Sequence, residues 1–226
     1  LVLVMLTASF SSSRRQLTES GRAQAHELGR FLAASHGGSV DRVLCSPKAR
    51  TLATLDEIEA AFAEVGARLP ERIVRYDLRE LELTSWEGLY RKDIERDEPE
   101  AYRAWKTTPA DFSFPTGHAP LPRLWERTAS EWAHLRDTTP PGTTTLVVAH
   151  GAFNRAFLAN IFGLPMSTFV DSDRGTRFGF VNCECVELEW SESSTGPTVR
   201  WRRRHPRLSE WATQDDERAA AGAECE

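Results

Sequence analysis

The pair His150-Gly151 is where this chain could do chemistry. It closes the β-favouring run Thr145-Leu146-Val147-Val148-Ala149, and an apolar helical pattern follows at Phe153, Ala156, Phe157 and Ile161. A buried strand ending in His-Gly at the mouth of a helix sets an imidazole at the carboxyl edge of a sheet, where open α/β folds place their ligands. A strand-end histidine by itself is more often a packing residue, so its weight comes from its surroundings. The cysteines Cys45, Cys183, Cys185 and Cys225 offer no metal-site spacing, and Cys183 and Cys185 would face one side of a strand. Neither zinc nor a disulfide scaffold is expected, and no motif calls for a cofactor. The basic run Arg200-Trp201-Arg202-Arg203-Arg204-His205 reads as a solvated strand end before it reads as a phosphate contact.

The elements that must position His150 can be taken in order. Leu1 to Leu6 is a buried first strand, too short to span a bilayer and without the basic region of a signal peptide. Thr18 is placed to cap a helix with Gly21 at its third position, and Ala25, Leu28, Phe31 and Leu32 mark its apolar face to about Ala34. Val40 to Cys45 is a second buried strand. Pro47 suits the first turn of a second helix, whose face carries Leu52, Leu55, Ile58, Ala61, Phe62 and Val65. A third strand runs from Ile73 to Tyr76. Strands alternating with helices predict an α/β fold of three layers, α/β/α, with a mainly parallel sheet flanked by helices.

The middle breaks that rhythm. Two helical stretches, Arg91–Lys106 and Leu121–Arg136, flank a proline-rich loop from Phe112 to Pro122, and the reading is a helical insertion at about 89–141 over the carboxyl edge. After the Thr144–Ala149 strand, Phe178–Trp190 and Thr198–Arg203 predict an antiparallel edge hairpin turning at Ser191–Pro197. Residues 1–213 are expected to form a single domain, and 214–226 an acidic, disordered tail.

A chain of 226 residues with 40% hydrophobic and 27% charged residues fits a globular domain with a substantial core. A formal net charge of −5 argues against nucleic acid as the main partner. The cysteine usage suits a reducing compartment, either cytoplasm or an organelle interior, and nothing in the sequence excludes removal of an organelle-targeting segment.

Four separated segments resemble those of the histidine phosphatase superfamily, the phosphoglycerate mutase-like proteins. They are Leu17-Thr18-Glu19-Ser20-Gly21-Arg22-Ala23-Gln24-Ala25, Ser46-Pro47-Lys48-Ala49-Arg50-Thr51, Leu78-Arg79-Glu80-Leu81-Glu82 with Trp86-Glu87-Gly88, and Val147-Val148-Ala149-His150-Gly151. Val181-Asn182-Cys183 resembles a following strand. The segments occur in family order and cover nearly the whole chain. The resemblance implies phosphomonoester chemistry, in which one histidine attacks phosphorus while a second histidine and two arginines hold the phosphate. By that resemblance His150 is the second histidine, Arg50 the second phosphate arginine and Glu80 the proton donor, while Gly151 lets the backbone approach the phosphate.

The first motif of the family, Arg-His-Gly after an apolar strand, is where the chain departs. Met5 stands at the arginine position and Leu6 at the nucleophile position, and only Ser9 resembles the hydroxyl that follows. Leucine has no lone pair with which to attack phosphorus. His26 and His36 fall within or at the end of a helix, so neither is placed at the strand edge, and His118, in the inserted loop within reach of the pocket, reads as an exposed or structural loop residue before it reads as a substitute nucleophile. Thr84 and Ser85 replace the glycine turn before Trp86. The expected function is therefore a non-catalytic pseudophosphatase, with a protein partner or a phosphorylated small molecule as ligand. The alternative is an active phosphomonoester hydrolase with a non-standard first motif, or one that the recorded sequence misses. Oligomeric state is not legible in the sequence.

Overall fold

The computed structural model of the chain describes residues 2–7, 17–36, 39–169, 185–193 and 196–204, with side chains over 17–36, 39–169 and 185–191. The chain opens with β1 (Val2–Thr7), α1 (Glu19–His36), β2 (Arg42–Cys45), α2 (Ala49–Glu64) and β3 (Arg72–Val74). Three helices follow, α3 (Arg91–Asp97), α4 (Pro99–Thr107) and α5 (Pro120–Thr138). Then come β4 (Thr144–Ala149), α6 (Gly151–Ile161), β5 (Cys185–Ser193) and β6 (Gly196–Arg204). The sheet order is β3-β2-β4-β1-β5-β6. The first four strands in that order are parallel, and β5 and β6 form an antiparallel hairpin against β1.

Alternation along the strands separates two cores. Val43, Cys45, Leu146, Val148 and Cys185 face Ala25, Leu28, Leu32, Leu55, Ile58 and Phe62 of α1 and α2. Leu44, Val147, Ala149, Val186 and Leu188 face the other way, onto Leu121, Leu124, Trp132 and Leu135 of α5 and Phe153 and Phe157 of α6. Because β4 is covered on both faces, its side chains are buried from Thr144 to Ala149. That is the pattern of a central parallel strand, and it explains the unbroken apolar run in the sequence.

α1 begins as the sequence predicts, with Thr18 Oγ1 accepting the Gly21 N–H at 3.0 Å. Three expectations need correction. The single helix over Arg91–Lys106 is two, because Pro99 has no N–H to continue α3 and holds Glu98 at φ −132°, ψ 57°. The insertion at about 89–141 divides: α5 belongs to the main layer beside α6. α3, α4 and the loop after them join Trp86, which precedes α3, in a separate aromatic cluster in which Trp86, Ile94, Phe112 and Phe114 are buried. The hairpin turn is shorter than Ser191–Pro197, since Ser191 pairs with Thr198 and Ser193 with Gly196 inside the ladder. The Val181-Asn182-Cys183 segment, Ser9 and the 214–226 tail lie outside the described residues.

Two backbone positions carry local constraints. α1 and α2 touch through Gly29, where an added Cβ would come within 2.7 Å of the Ala61 Cβ and 2.8 Å of the Ile58 Cα. Thr84, which stands in for a turn glycine in the sequence comparison, has φ +33°, a left-handed conformation unfavourable for a β-branched residue. Gly29→Ala is expected to destabilise the fold by about 1–3 kcal/mol through forced separation of the two helices, and Thr84→Gly to stabilise it by about 1 kcal/mol. Urea denaturation of the two variants checks both signs.

Candidate functional site

β2 and β4 are neighbours and parallel, so the residues that leave them emerge side by side. The Ser46 N–H still bonds the Val148 carbonyl at 3.0 Å, which brings Ser46 next to His150 at the carboxyl edge. His150 is the extended residue before α6, at φ −135° and ψ 159°, and only 2% of it is exposed. Arg50 lies in the first turn of α2, directly beyond Ser46-Pro47. The two parallel strands and the two helices that follow them thus bring Ser46, Arg50 and His150 to one place.

The hydrogen bonds fix the state of the imidazole. Arg50 lies 2.9 Å from His150 Nδ1 and can only donate, so Nδ1 carries the lone pair. The proton therefore sits on Nε2, 2.8 Å from the buried Ser46 Oγ, which accepts it. Ser46 is consequently no activated nucleophile, since the imidazole beside it has no base to offer. Burial and then the charges of Arg50, Lys48 and Arg127 push the His150 pKa down to about 2. His150 is a neutral donor held between a hydroxyl and a cation.

Glu80 enters from the segment beyond β3. Its Oε1 accepts the Leu81 N–H at 2.9 Å and the Phe153 N–H at 3.2 Å. The second bond satisfies one of the open N–H groups at the start of α6, where His150 makes no side-chain cap. The carboxylate opposes the effect of burial on Arg50 and on Arg155, two guanidiniums that desolvation pushes below their ordinary pKa. Gly151 is the first residue of α6, directly after His150.

Sequence reasoning missed three residues here. Ser46 was visible only as part of a Ser-Pro motif; its contact with His150 depends on β2 and β4 being neighbours. Arg127 of α5 donates to the carbonyls of Asp77, Arg79 and Glu80 at 2.9, 2.6 and 3.1 Å, and so latches the segment that carries Glu80. Nothing in the sequence pairs residue 127 with residue 80. Arg155 lies on α6 five positions after His150, with its guanidinium 4.6 Å from the centre of the Phe169 ring.

The other described histidines are occupied elsewhere. His26 bonds Glu64 at 3.0 Å, His36 bonds Glu187 of β5 at 3.1 Å, and His134 lies 3.2 Å from Arg75. His118 donates to the Glu82 carbonyl at 2.8 Å while stacking on Phe114, which ties the loop to the segment beyond β3. On β1, Leu6 pairs with Val148 and Thr7 with Ala149, so the Leu6 backbone sits two residues short of the level of His150. No group of three or more His, Cys, Asp or Glu residues suited to a metal ion occurs among the described residues. None of the described helices is long and apolar enough to cross a membrane.

Residues 11–203 match the family model of the histidine phosphatase superfamily, branch 1. The chain is 36% identical over 159 residues to a probable 2-carboxy-D-arabinitol-1-phosphatase of Arabidopsis thaliana, and 33% identical over the same length to the 2-carboxy-D-arabinitol-1-phosphatase of Triticum aestivum. Each match covers 70% of this chain, but the chain spans only 30% of the length of these relatives. Among solved structures, a mycobacterial glucosyl-3-phosphoglycerate phosphatase complexed with VO3 superposes with a TM-score of 0.67 at 25% identity, covering 90% of this chain and 97% of its own. Bacillus stearothermophilus YhfR superposes with a TM-score of 0.70 at 22% identity, covering 88% and 94%.

Burial of His150 has a consequence for acid stability. Below the ordinary value of 6.5 the unfolded chain binds a proton on this histidine, while the folded chain declines it down to about 2. Stability must therefore fall as pH drops through that window, by up to about 1.4 kcal/mol per pH unit from this group. Chemical denaturation between pH 3 and 6 should show a shallower pH slope for His150→Gln, whose amide can keep both hydrogen bonds. Equal slopes in the two proteins would mean that His150 titrates normally in the fold.

Proposed function

Since the chain belongs to the histidine phosphatase superfamily, we propose that Ser46, Arg50, His150 and the start of α6 form a phosphate-recognition site. The ligand is a phosphomonoester, carried by a small molecule or by a partner protein, and the chain binds it without turning it over. The observation that carries this reading is the bond between Arg50 and His150 at 2.9 Å. It holds a permanent cation at the mouth of a helix, and helix N-termini favour phosphate groups. Gly151, which adds no side chain there, leaves the α6 backbone approachable.

Absence of turnover follows from the chemistry of the first motif. The covalent route needs a second imidazole at the strand edge, and the corresponding sequence position holds Leu6. None of the other described histidines reaches the edge. Glu80 is the proton donor by resemblance, yet its Oε1 is committed to two backbone N–H groups. Its supported role is to anchor α6 and balance the arginines.

A second reading, an active phosphomonoester hydrolase, draws on the names of the plant relatives, both of which are phosphatases. Incubation with a panel of phosphomonoesters separates the two. The binding reading expects calorimetric binding of phosphate that Arg50→Ala weakens by about 10-fold or more, with neither turnover nor an acid-labile phosphohistidine. Robust turnover abolished by His150→Ala would establish the hydrolase instead.

A further inference from the structure

β3 stands at one end of the strand order, and among the described strands it pairs with β2 alone. The Arg75 N–H just beyond it bonds the Cys45 carbonyl of β2 at 2.9 Å. Successive residues of a strand direct their backbone groups to opposite sides, so Ile73 also faces β2, while Arg72 and Val74 turn their N–H and C=O groups outward. Open edges are usually blunted by charged side chains or by a covering element. Here the two cations that flank Ile73 and Val74 are drawn back into the fold. Arg72 pairs with Asp56 and Glu59 of α2, and Arg75 with the buried Glu131 of α5 at 2.6 Å. What they leave at the edge is apolar: Ile73 is 45% exposed, Val74 46% and Tyr76 68%.

The residues along this edge are complementary to themselves. Two copies of β3, antiparallel about a two-fold axis at Ile73, would set Arg72 opposite Val74 of the second copy. Those are the residues whose backbone groups face outward, so each would exchange N–H···O=C bonds across the axis. Ile73 would meet its own copy as a non-hydrogen-bonded pair, the closer of the two kinds of antiparallel pair. Glu71 is exposed, and it would fall opposite Arg75, which has His134 at 3.2 Å. Opposite charges across a strand pair are stabilising and like charges are not. Centring the axis on Val74 instead would oppose Glu71 to Asp77, and centring it on Arg72 would oppose Arg72 to itself.

We propose that β3 is the pairing edge of a homodimer, with β3 of a second copy as its occupant, antiparallel and centred on Ile73, so that the two sheets join into one. A two-fold interface places the same patch on both copies, which the self-complementary charges and the apolar pair at Ile73 satisfy. This edge is separate from the phosphate site proposed above and does not depend on it.

Sedimentation at about 100 μM, ample for a micromolar complex, is expected to show a dimer of the wild-type chain. Ile73→Lys and Val74→Lys, each at an exposed position, should give monomers with unchanged thermal melts. Glu71→Arg should weaken the dimer by about 10-fold, because the two-fold axis applies the lost pair twice. Ile73→Cys tests the alignment: mild oxidation should link two copies through this residue, whereas Tyr76→Cys, away from the axis, should cross-link no more than the wild-type chain treated in the same way. A monomeric wild-type chain overturns the proposal and leaves the edge to a different partner. A dimer that survives both lysine variants places the interface elsewhere, and equal cross-linking of the two cysteine variants rules out the axis at Ile73.

Discussion

The site depends on one buried imidazole with both nitrogens engaged. His150 cannot move toward Ser46 without leaving Arg50, and cannot take a proton without turning Nδ1 into a second donor facing a guanidinium. Each of these shifts would strand a buried polar group, which costs more than a typical hydrogen bond contributes. The rest of the edge is arranged around that restriction. β2 and β4 must be neighbours to supply Ser46 and His150, and α2 must start directly after β2 to bring Arg50 to Nδ1. α6 must start directly after His150, so that its open N–H groups face the same space.

A second tier of contacts keeps this edge in place from a distance. Arg127 reaches from α5 to the carbonyls of Asp77, Arg79 and Glu80, and Glu80 in turn holds the first turn of α6. α5 therefore does more than cover the sheet: it sets where the carboxylate sits. His118 and the aromatic cluster of Trp86, Phe112 and Phe114 act on the same segment from its other end. α3, α4 and the loop after them are thus coupled to the site through Leu78–Glu82, although that loop's His118 lies 32 positions from His150 in sequence.

Much of the architecture was legible before any coordinates. The apolar and helical patterns placed β2, β4, α1, α2 and α6, because each is covered by a continuous core whose demand for apolar side chains is written into the sequence. The elements misread were those whose limits are set by backbone chemistry or by partners. Pro99 divides what the apolar pattern joined. α5 carries the same kind of amphipathic face whether it packs in the main layer or in an insertion, so only its contact with Phe153 and Phe157 could distinguish the two. The hairpin strands run further toward their turn than composition suggests because strand pairing carries Ser191 and Ser193 into the ladder.

The site divides in the same way. From the sequence alone came the residue types and the order in which they arrive: His150 and Gly151 at the end of an apolar strand, Arg50 after Ser-Pro, and Glu80 in its acidic segment. Those readings depend on local pattern and on motif spacing, which a linear chain displays. Tertiary structure decided the tautomer of His150, the accepting role of Ser46, the commitment of Glu80 to α6, and the contrast between Arg127, bonded to three carbonyls, and Arg155, whose buried Nε has no partner. Each of these is a relation between residues 14 to 104 positions apart. The physical reason is that hydrogen bonding and desolvation depend on which groups share a buried space, and that is settled by strand order and helix packing.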